Sequence, residues 1–101
     1  MSLKDLKRDI ASKCGVTVAE IDRRYGPLKV REARHLYFWE ASEVRRPDGS
    51  KRYSTSQIGA SAGGRDHSTI VSSLQRTRRL KRAEKLVARE AEHQAVGIAA
   101  E

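Results

Sequence analysis

Two adjacent glycines, Gly63 and Gly64, separate two segments with helical spacing, and they restrict the fold more than any other feature of the chain. The surrounding segment, Ser54 to Leu74, reads STSQIGASAGGRDHSTIVSSL. Its first residues, Ser54 to Gln57, have the capping-box pattern that begins a helix, and Ile58 is the expected buried anchor. Because glycine permits a close chain reversal, the segment predicts two helices joined by a tight turn, as in a helix-turn-helix.

A long helix is predicted from Arg65 onward. Residues at three- or four-residue steps define one face, and they are Ile70, Leu74, Thr77, Leu80, Glu84, Val87 and Ala91. The middle of this helix is strongly basic, with Arg76, Arg78, Arg79, Lys81, Arg82 and Lys85 against the single acid Glu84. We expect residues 1–93 to form one domain and the Ala-rich residues 94–101 to fray.

Three further helices are predicted before this segment. The first is marked by Leu3, Leu6, Ile10 and Cys14 and ends at Gly15. A capping box at Thr17 to Glu20 begins a short second helix, which we expect to run from Val18 to Arg24. After Gly26-Pro27, one face of a third helix is formed by Val30, Ala33, Tyr37, Ala41 and Val44. The sequence therefore predicts a small all-α domain with a long basic C-terminal helix.

The charge of the chain indicates a polyanionic partner. Lys and Arg number 21 against 13 Asp and Glu, which gives a net charge of +8 over 101 residues. No long apolar segment, lipidation motif or signal peptide favours a membrane, and we expect a cytoplasmic protein. Cys14 is the single cysteine, so neither an internal disulfide nor a zinc site is expected. Nucleic acid is the first candidate partner.

The run from Arg65 to Thr69 carries side chains that suit the edges of bases in a DNA major groove. Arginine pairs with guanine, aspartate accepts from cytosine, and Ser or Thr contacts several bases. An ordinary helix start remains open, in which Asp66 is only an N-cap and the next residues are solvated. Catalysis by Asp66, His67 and Ser68 is not expected, because adjacent helical side chains diverge and cannot form a nucleophile relay. We therefore expect no enzyme.

These residues resemble a known family motif. The runs Gln57-Ile58-Gly59 and Gly63 to Val71 are similar to the signature of the C-terminal DNA-binding domain, domain IV, of the bacterial replication initiator DnaA. That family reads Gly-Gly-Arg-Asp-His-Thr-Thr, and here Ser68 replaces the first Thr. The segment from Val18 to Arg24 resembles the short helix and basic loop of the family. The resemblance covers residues 5 to 85.

The resemblance implies sequence-specific binding of double-stranded DNA, with Arg65 to Thr69 in the major groove and Arg23 or Arg24 in the minor groove. The loop from Asp22 to Lys29 is shorter than in the family, and the link from Arg45 to Tyr53 is longer. No Gly-x-x-x-x-Gly-Lys-Ser/Thr phosphate loop is present, so ATPase activity is not expected. The complete set of expected DNA-binding residues is Arg23, Arg24, Ser56, Gln57, Arg65, Asp66, His67, Ser68, Thr69, Arg76, Arg78, Arg79 and Arg82.

Further expectations concern partners and process. We expect a monomer associated with the nucleoid, a regulator of replication or transcription, with no cofactor, metal or small-molecule substrate. Two alternatives stay open: binding of RNA or single-stranded nucleic acid, and a basic adaptor for an acidic protein. The four basic residues between Arg45 and Tyr53 are interpreted either as additional phosphate contacts or as a solvated insertion.

Overall fold

A computed structural model describes the backbone of residues 2–100 and the side chains of residues 2–87. The helices are α1 (Leu3–Cys14), α2 (Val18–Asp22), α3 (Leu28–Glu43), α4 (Thr55–Ser61) and α5 (His67–Ala100). Over the described backbone there is no β-strand, and an isolated antiparallel bridge joins Arg45 to Lys51. The all-α prediction is confirmed. The frayed tail expected at residues 94–101 lies beyond the described side chains and stays a prediction.

Side chains that begin the short helices are in the predicted positions. The hydroxyl of Thr17 accepts from the backbone amide of Glu20, and the Glu20 carboxylate accepts in return from the amide of Thr17. Ser54 and Gln57 make the same reciprocal pair at the start of α4. Helix α2 ends at Asp22, two residues before the expected end at Arg24, because Arg23 adopts an extended conformation with a ψ of 150°.

The core lies between all five helices, α1 to α5. Its largest fully buried side chains are Tyr37, Phe38, Ile21, Ile58 and Ile70. The rings of Tyr37 and Phe38 are 5.9 Å apart, whereas Trp39 is half-buried, as the angular separation of consecutive helical residues requires. The Tyr37 hydroxyl lies 2.6 Å from the hydroxyl of Ser61, so its polar end is satisfied inside the core. Ile58 is buried, as predicted.

A hydrogen bond between side chains joins α3 to α5. His35 Nδ1 lies 2.5 Å from the Oγ atom of Ser73, which is itself buried. The pKa of His35 is held below its ordinary value, first by burial and then by the nearby guanidinium groups of Arg76, Arg31 and Arg34. The imidazole therefore joins the two helices in its neutral form.

The diglycine turn brings α5 close to the end of α2. Gly63 and Gly64 have positive φ angles of 77° and 74°. A Cβ atom at Gly63 would lie 2.3 Å from the carbonyl oxygen of Asp22, whereas one at Gly64 would meet nothing within 4 Å. Helix α5 begins at His67, two residues later than predicted, and the carbonyl of Asp66 accepts from the amides of Thr69 and Ile70.

Replacing Gly63 by alanine should be more destabilising than the same change at Gly64. Both variants force alanine into the left-handed region, at a cost of about 1–2 kcal/mol. Only Gly63→Ala also drives a Cβ atom into the Asp22 carbonyl. Urea unfolding of the two variants measures the difference, and equal losses of stability would contradict the close approach of α2 to the turn.

The free energy of unfolding should fall as the pH drops below the ordinary pKa of 6.5 for histidine. The reason is that the folded-state pKa of His35 is lower, so the unfolded chain takes up this proton first. His35→Gln removes the titrating group and should flatten the dependence between roughly pH 7 and pH 5. Denaturant unfolding across that range tests this, and parallel curves for the two proteins would refute it.

Candidate nucleic-acid interface

The turn between α4 and α5 borders a cleft that reaches the end of α2. The cleft has a volume of about 390 Å³. Its walls are formed by Asp22, Arg24, Gly63, Gly64, Arg65, Asp66 and Thr69. The basic loop after α2 and the first residues of the predicted recognition helix are therefore neighbours, although about forty residues separate them in the sequence.

Arg65 holds this arrangement together. Its Nη1 atom donates to the backbone carbonyls of Ala62 and Ile21, the latter at 3.4 Å, and its Nη2 atom donates to the carbonyl of Arg23. The guanidinium carbon lies 5.9 Å from the centre of the Phe38 ring. Burial lowers the pKa of Arg65. The side chain thus joins α2, the turn and α3, a role that the sequence motif did not indicate, and its expected DNA contact stays a prediction.

Two buried cations, Lys7 and Arg34, hold the same region as the half-buried Arg65. Arg34 donates from Nε to the Ile21 carbonyl at 2.9 Å and from Nη2 to the Glu20 carbonyl at 3.1 Å. Lys7 donates to a carboxylate oxygen of Asp22 at 2.8 Å and to the carbonyl of Ser61. Sequence reasoning missed both cations. The signal in the sequence was their spacing. Each cation lies three or four residues from apolar positions of its own helix, which places it on the buried face of that helix.

Asp66, His67, Ser68 and Thr69 are exposed at the start of α5. The side chains of Asp66 and His67 are 73% and 62% exposed, and His67 Nδ1 lies 3.2 Å from Asp66 Oδ1. The Ser68 hydroxyl donates to the other carboxylate oxygen of Asp66 at 3.1 Å. These groups bond to one another at the surface and not to the core. They are therefore accessible to a partner at the point where the rigid turn ends.

The remaining predicted residues lie on separate parts of the surface. Ser56 and Gln57 are exposed at the start of α4, where Gln57 also caps the helix. Arg23 is exposed outside the cleft that Arg24 lines. Arg76 lines a second cleft of about 390 Å³ with Thr69 and His35.

The basic residues farther along α5 do not all share one surface. Arg78 and Arg82 line a groove of about 620 Å³ beside Trp39. Lys81 lies in the same groove, 5.4 Å from the centre of the Trp39 ring. Arg79 is exposed on α5 and lines none of these clefts. The structure thus brings Arg24 close to Asp66 and Thr69 and separates Arg78 and Arg82 from them.

The positive charge of α5 is not neutralised by the described side chains. Within residues 2–87, the ion pairs are Lys7 with Asp22, Lys13 with Asp9, and the Asp66–His67 contact. None includes an arginine of α5, so the surface around the helix keeps a positive potential that attracts anions. The same residues contain no group of three or more side chains placed to hold a metal. In the described chain, no helix is both long enough and apolar enough to span a membrane.

The fold and this surface define a small all-α domain. The polar residues that begin α5 are exposed, and the arginines of that helix form no ion pair with the side chains of residues 2–87. The chain is 34% identical over 85 residues to the chromosomal replication initiator protein DnaA of Mesoplasma florum, and 28% identical over 71 residues to that of Mycoplasma capricolum. These matches cover 84% and 70% of this chain but 18% and 14% of the relatives. No protein-family model matches, nor does any solved structure. The chain is DnaA-like, as its motif indicated.

Replacing Arg65 by lysine should lower the free energy of unfolding by about 1.5–3 kcal/mol, because an ammonium group cannot span the carbonyls of Ile21, Ala62 and Arg23 together. Arg79→Lys is the matched control, since Arg79 is exposed on α5. Chemical denaturation measures both variants. Equal midpoints for the two would show that the Arg65 contacts do not stabilise the fold.

Proposed function

We propose that this chain corresponds to domain IV of DnaA and binds specific sequences in double-stranded DNA, with α4 and α5 as a helix-turn-helix. It acts as a monomer in the bacterial cytoplasm, associated with the nucleoid. The relatives named above are chromosomal replication initiators, which supports a role at replication origins or in the control of replication. Without a phosphate loop in the sequence, these 101 residues contribute DNA reading and not nucleotide-driven melting.

The exposure of Asp66 to Thr69 at the start of α5 is the observation that carries this proposal. Asp66 accepts from a cytosine amino group, and Ser68 and Thr69 bond to base edges or contact a thymine methyl. His67 has one ring nitrogen beside Asp66 and the other available to a base. Arg65 adds its charge at the phosphates while its guanidinium holds the turn. The ordered turn fixes the direction in which these groups point, as base reading requires.

Arg24 is the better candidate for the minor-groove contact. Its side chain lines the cleft that also contains Asp66 and Thr69, whereas Arg23 is exposed outside that cleft and its carbonyl accepts from Arg65. The guanidinium carbon of Arg24 lies 5.8 Å from the centre of the Tyr25 ring, within the range of a cation–π contact. An arginine held beside the recognition turn is positioned to enter the adjacent groove of the same duplex.

The remaining cations and amides contact phosphates in this proposal. Ser56 and Gln57 lie at the start of α4, and Arg76 lines one cleft together with Thr69. Arg78, Arg79 and Arg82 lie farther along α5 and contribute a field that does not depend on base sequence. Removing them should weaken all duplexes alike, whereas removing Asp66 or His67 should alter the choice of sequence.

Double-stranded DNA is favoured over RNA or single strands because the described aromatics offer little stacking surface. Tyr37 and Phe38 are buried, and Lys81 lies over the half-buried Trp39 ring. Tyr25 is the exception, at 79% exposure. A basic adaptor is the second candidate function, since four cations and the single acid Glu84 line the groove beside Trp39. Competition among duplex DNA, single strands, RNA and an acidic peptide separates these alternatives.

Selection of bound duplexes from a random pool should recover a defined motif with the wild-type chain. Asp66→Ala or His67→Ala should then relax the choice at particular base pairs by about 1–3 kcal/mol for each lost contact. Arg79→Ala is the control, which should lower the affinity for every duplex while preserving the motif. An unselective wild-type chain, or an Asp66→Ala variant that recovers the same motif with equal stringency, would refute the proposed function.

A further inference from the structure

The link between α3 and α4 is an ordered hairpin. Arg45 and Lys51 form an antiparallel bridge, the amide of Arg46 donates to the Ser50 carbonyl at 2.9 Å, and the amide of Arg52 donates to the Val44 carbonyl at 3.1 Å. Gly49 turns the chain at the tip with a φ of 88°. We refer to residues 45–52 as the basic hairpin. Hydrogen bonds between its two arms fix the backbone of the basic hairpin. A loop that is only solvated does not need such bonds.

The charge of the basic hairpin is concentrated and open to solvent. Its four cations, Arg45, Arg46, Lys51 and Arg52, are all exposed, and none forms an ion pair with a side chain of residues 2–87. The one acid of the hairpin, Asp48, accepts instead from the amide and hydroxyl of Ser50 at 2.9 and 2.6 Å. Four positive charges and one negative charge leave the hairpin with a net charge of +3.

The basic hairpin is continuous with the proposed DNA-reading surface. It leads within two residues to the start of α4. A cleft of about 370 Å³ lies between the two, and its polar lining includes Arg46, Lys51, Arg52, Ser54, Thr55 and Gln57. Gln57 already belongs to the proposed phosphate contacts. The cations of the hairpin and the polar groups of α4 therefore face one common cleft.

We propose that the basic hairpin is an additional phosphate-binding element, which holds the DNA backbone beside the base pairs read by Asp66 to Thr69. This inference rests on the proposed function. The cleft lies at the opposite end of α4 from the diglycine turn. At a rise of 1.5 Å per residue, seven helical residues span about 10 Å, or about three base pairs along a duplex. The hairpin therefore binds phosphates next to the specific site and contributes affinity without selecting bases.

The test removes two charges from the hairpin and compares the effect with the loss of two charges elsewhere. The hairpin variant is Arg46→Gln with Lys51→Gln, and the control is Lys4→Gln with Arg8→Gln on the exposed face of α1. Both variants have the same net charge, so a general electrostatic effect weakens both equally. Circular dichroism checks that the helices are retained.

Affinities are measured over a range of salt concentrations on a duplex that carries the selected site with flanking base pairs. For the hairpin variant, the slope of log affinity against log salt should become shallower by about 2, one for each lost phosphate contact. Its affinity at low salt should fall roughly tenfold or more, with the selected motif unchanged. On a duplex trimmed to the site, the hairpin variant and the wild-type chain should have the same slope. The exchange variant Arg46→Lys with Lys51→Arg keeps both charges and should retain the wild-type slope on the longer duplex.

Equal slopes for the hairpin variant and wild type, or equal losses in the hairpin and α1 variants, would overturn the inference. A wild-type chain that binds duplexes without choosing a motif, but with a slope that depends on the hairpin, would refute the proposed function and support the hairpin contact. A wild-type chain that binds no duplex at low salt would overturn both.

Discussion

The arrangement of this domain depends on two arginines, one buried and one half-buried, that donate to the backbone at the end of α2. This helix has five residues, so most of its carbonyls have no partner within the helix. Arg34 and Arg65 donate to the carbonyls of Glu20, Ile21 and Arg23. Positive charge at a helix C-terminus is also favoured by the helix dipole. The interaction fixes the loop after α2 against the turn before α5 and so creates the cleft between them.

The cations of the chain fall into two groups with different roles. Lys7, Arg34 and Arg65 donate to backbone carbonyls or to Asp22, and their groups are used within the fold. The cations of the basic hairpin and most of those on α5 are exposed and have no ion-pair partner in the part of the chain that the structure describes. Net charge alone does not separate these groups, because every Lys or Arg adds one positive charge to the total whichever group it belongs to. In the proposed complex the exposed group contacts phosphates, whereas Arg65 contributes its charge while its donors stay bonded within the fold.

The helices were predictable because their signals are local. Capping boxes at Thr17 and Ser54, the glycine at position 15 and apolar spacing depend on neighbours within one turn, and the helices agree with them. The role of Arg65 was not predictable, because its partners Ile21 and Arg23 lie more than forty residues earlier. Helix α5 begins two residues later than predicted because Arg65 and Asp66 belong to the turn, where Arg65 is bonded to these distant residues. In the hairpin, Pro47-Asp48-Gly49 is a local turn signal in the sequence, whereas the Arg45–Lys51 bridge pairs residues across that turn and has no local signal.

We propose that DNA is contacted by the exposed start of α5, beside the turn that Arg65 holds. Amide chemical-shift mapping of the labelled chain during titration with a selected duplex tests it most directly. The account predicts the largest changes at Asp66 to Thr69 and at Arg24, with smaller changes at Gln57. Changes confined to the groove beside Trp39, with the signals of Asp66 to Thr69 unmoved, would contradict it.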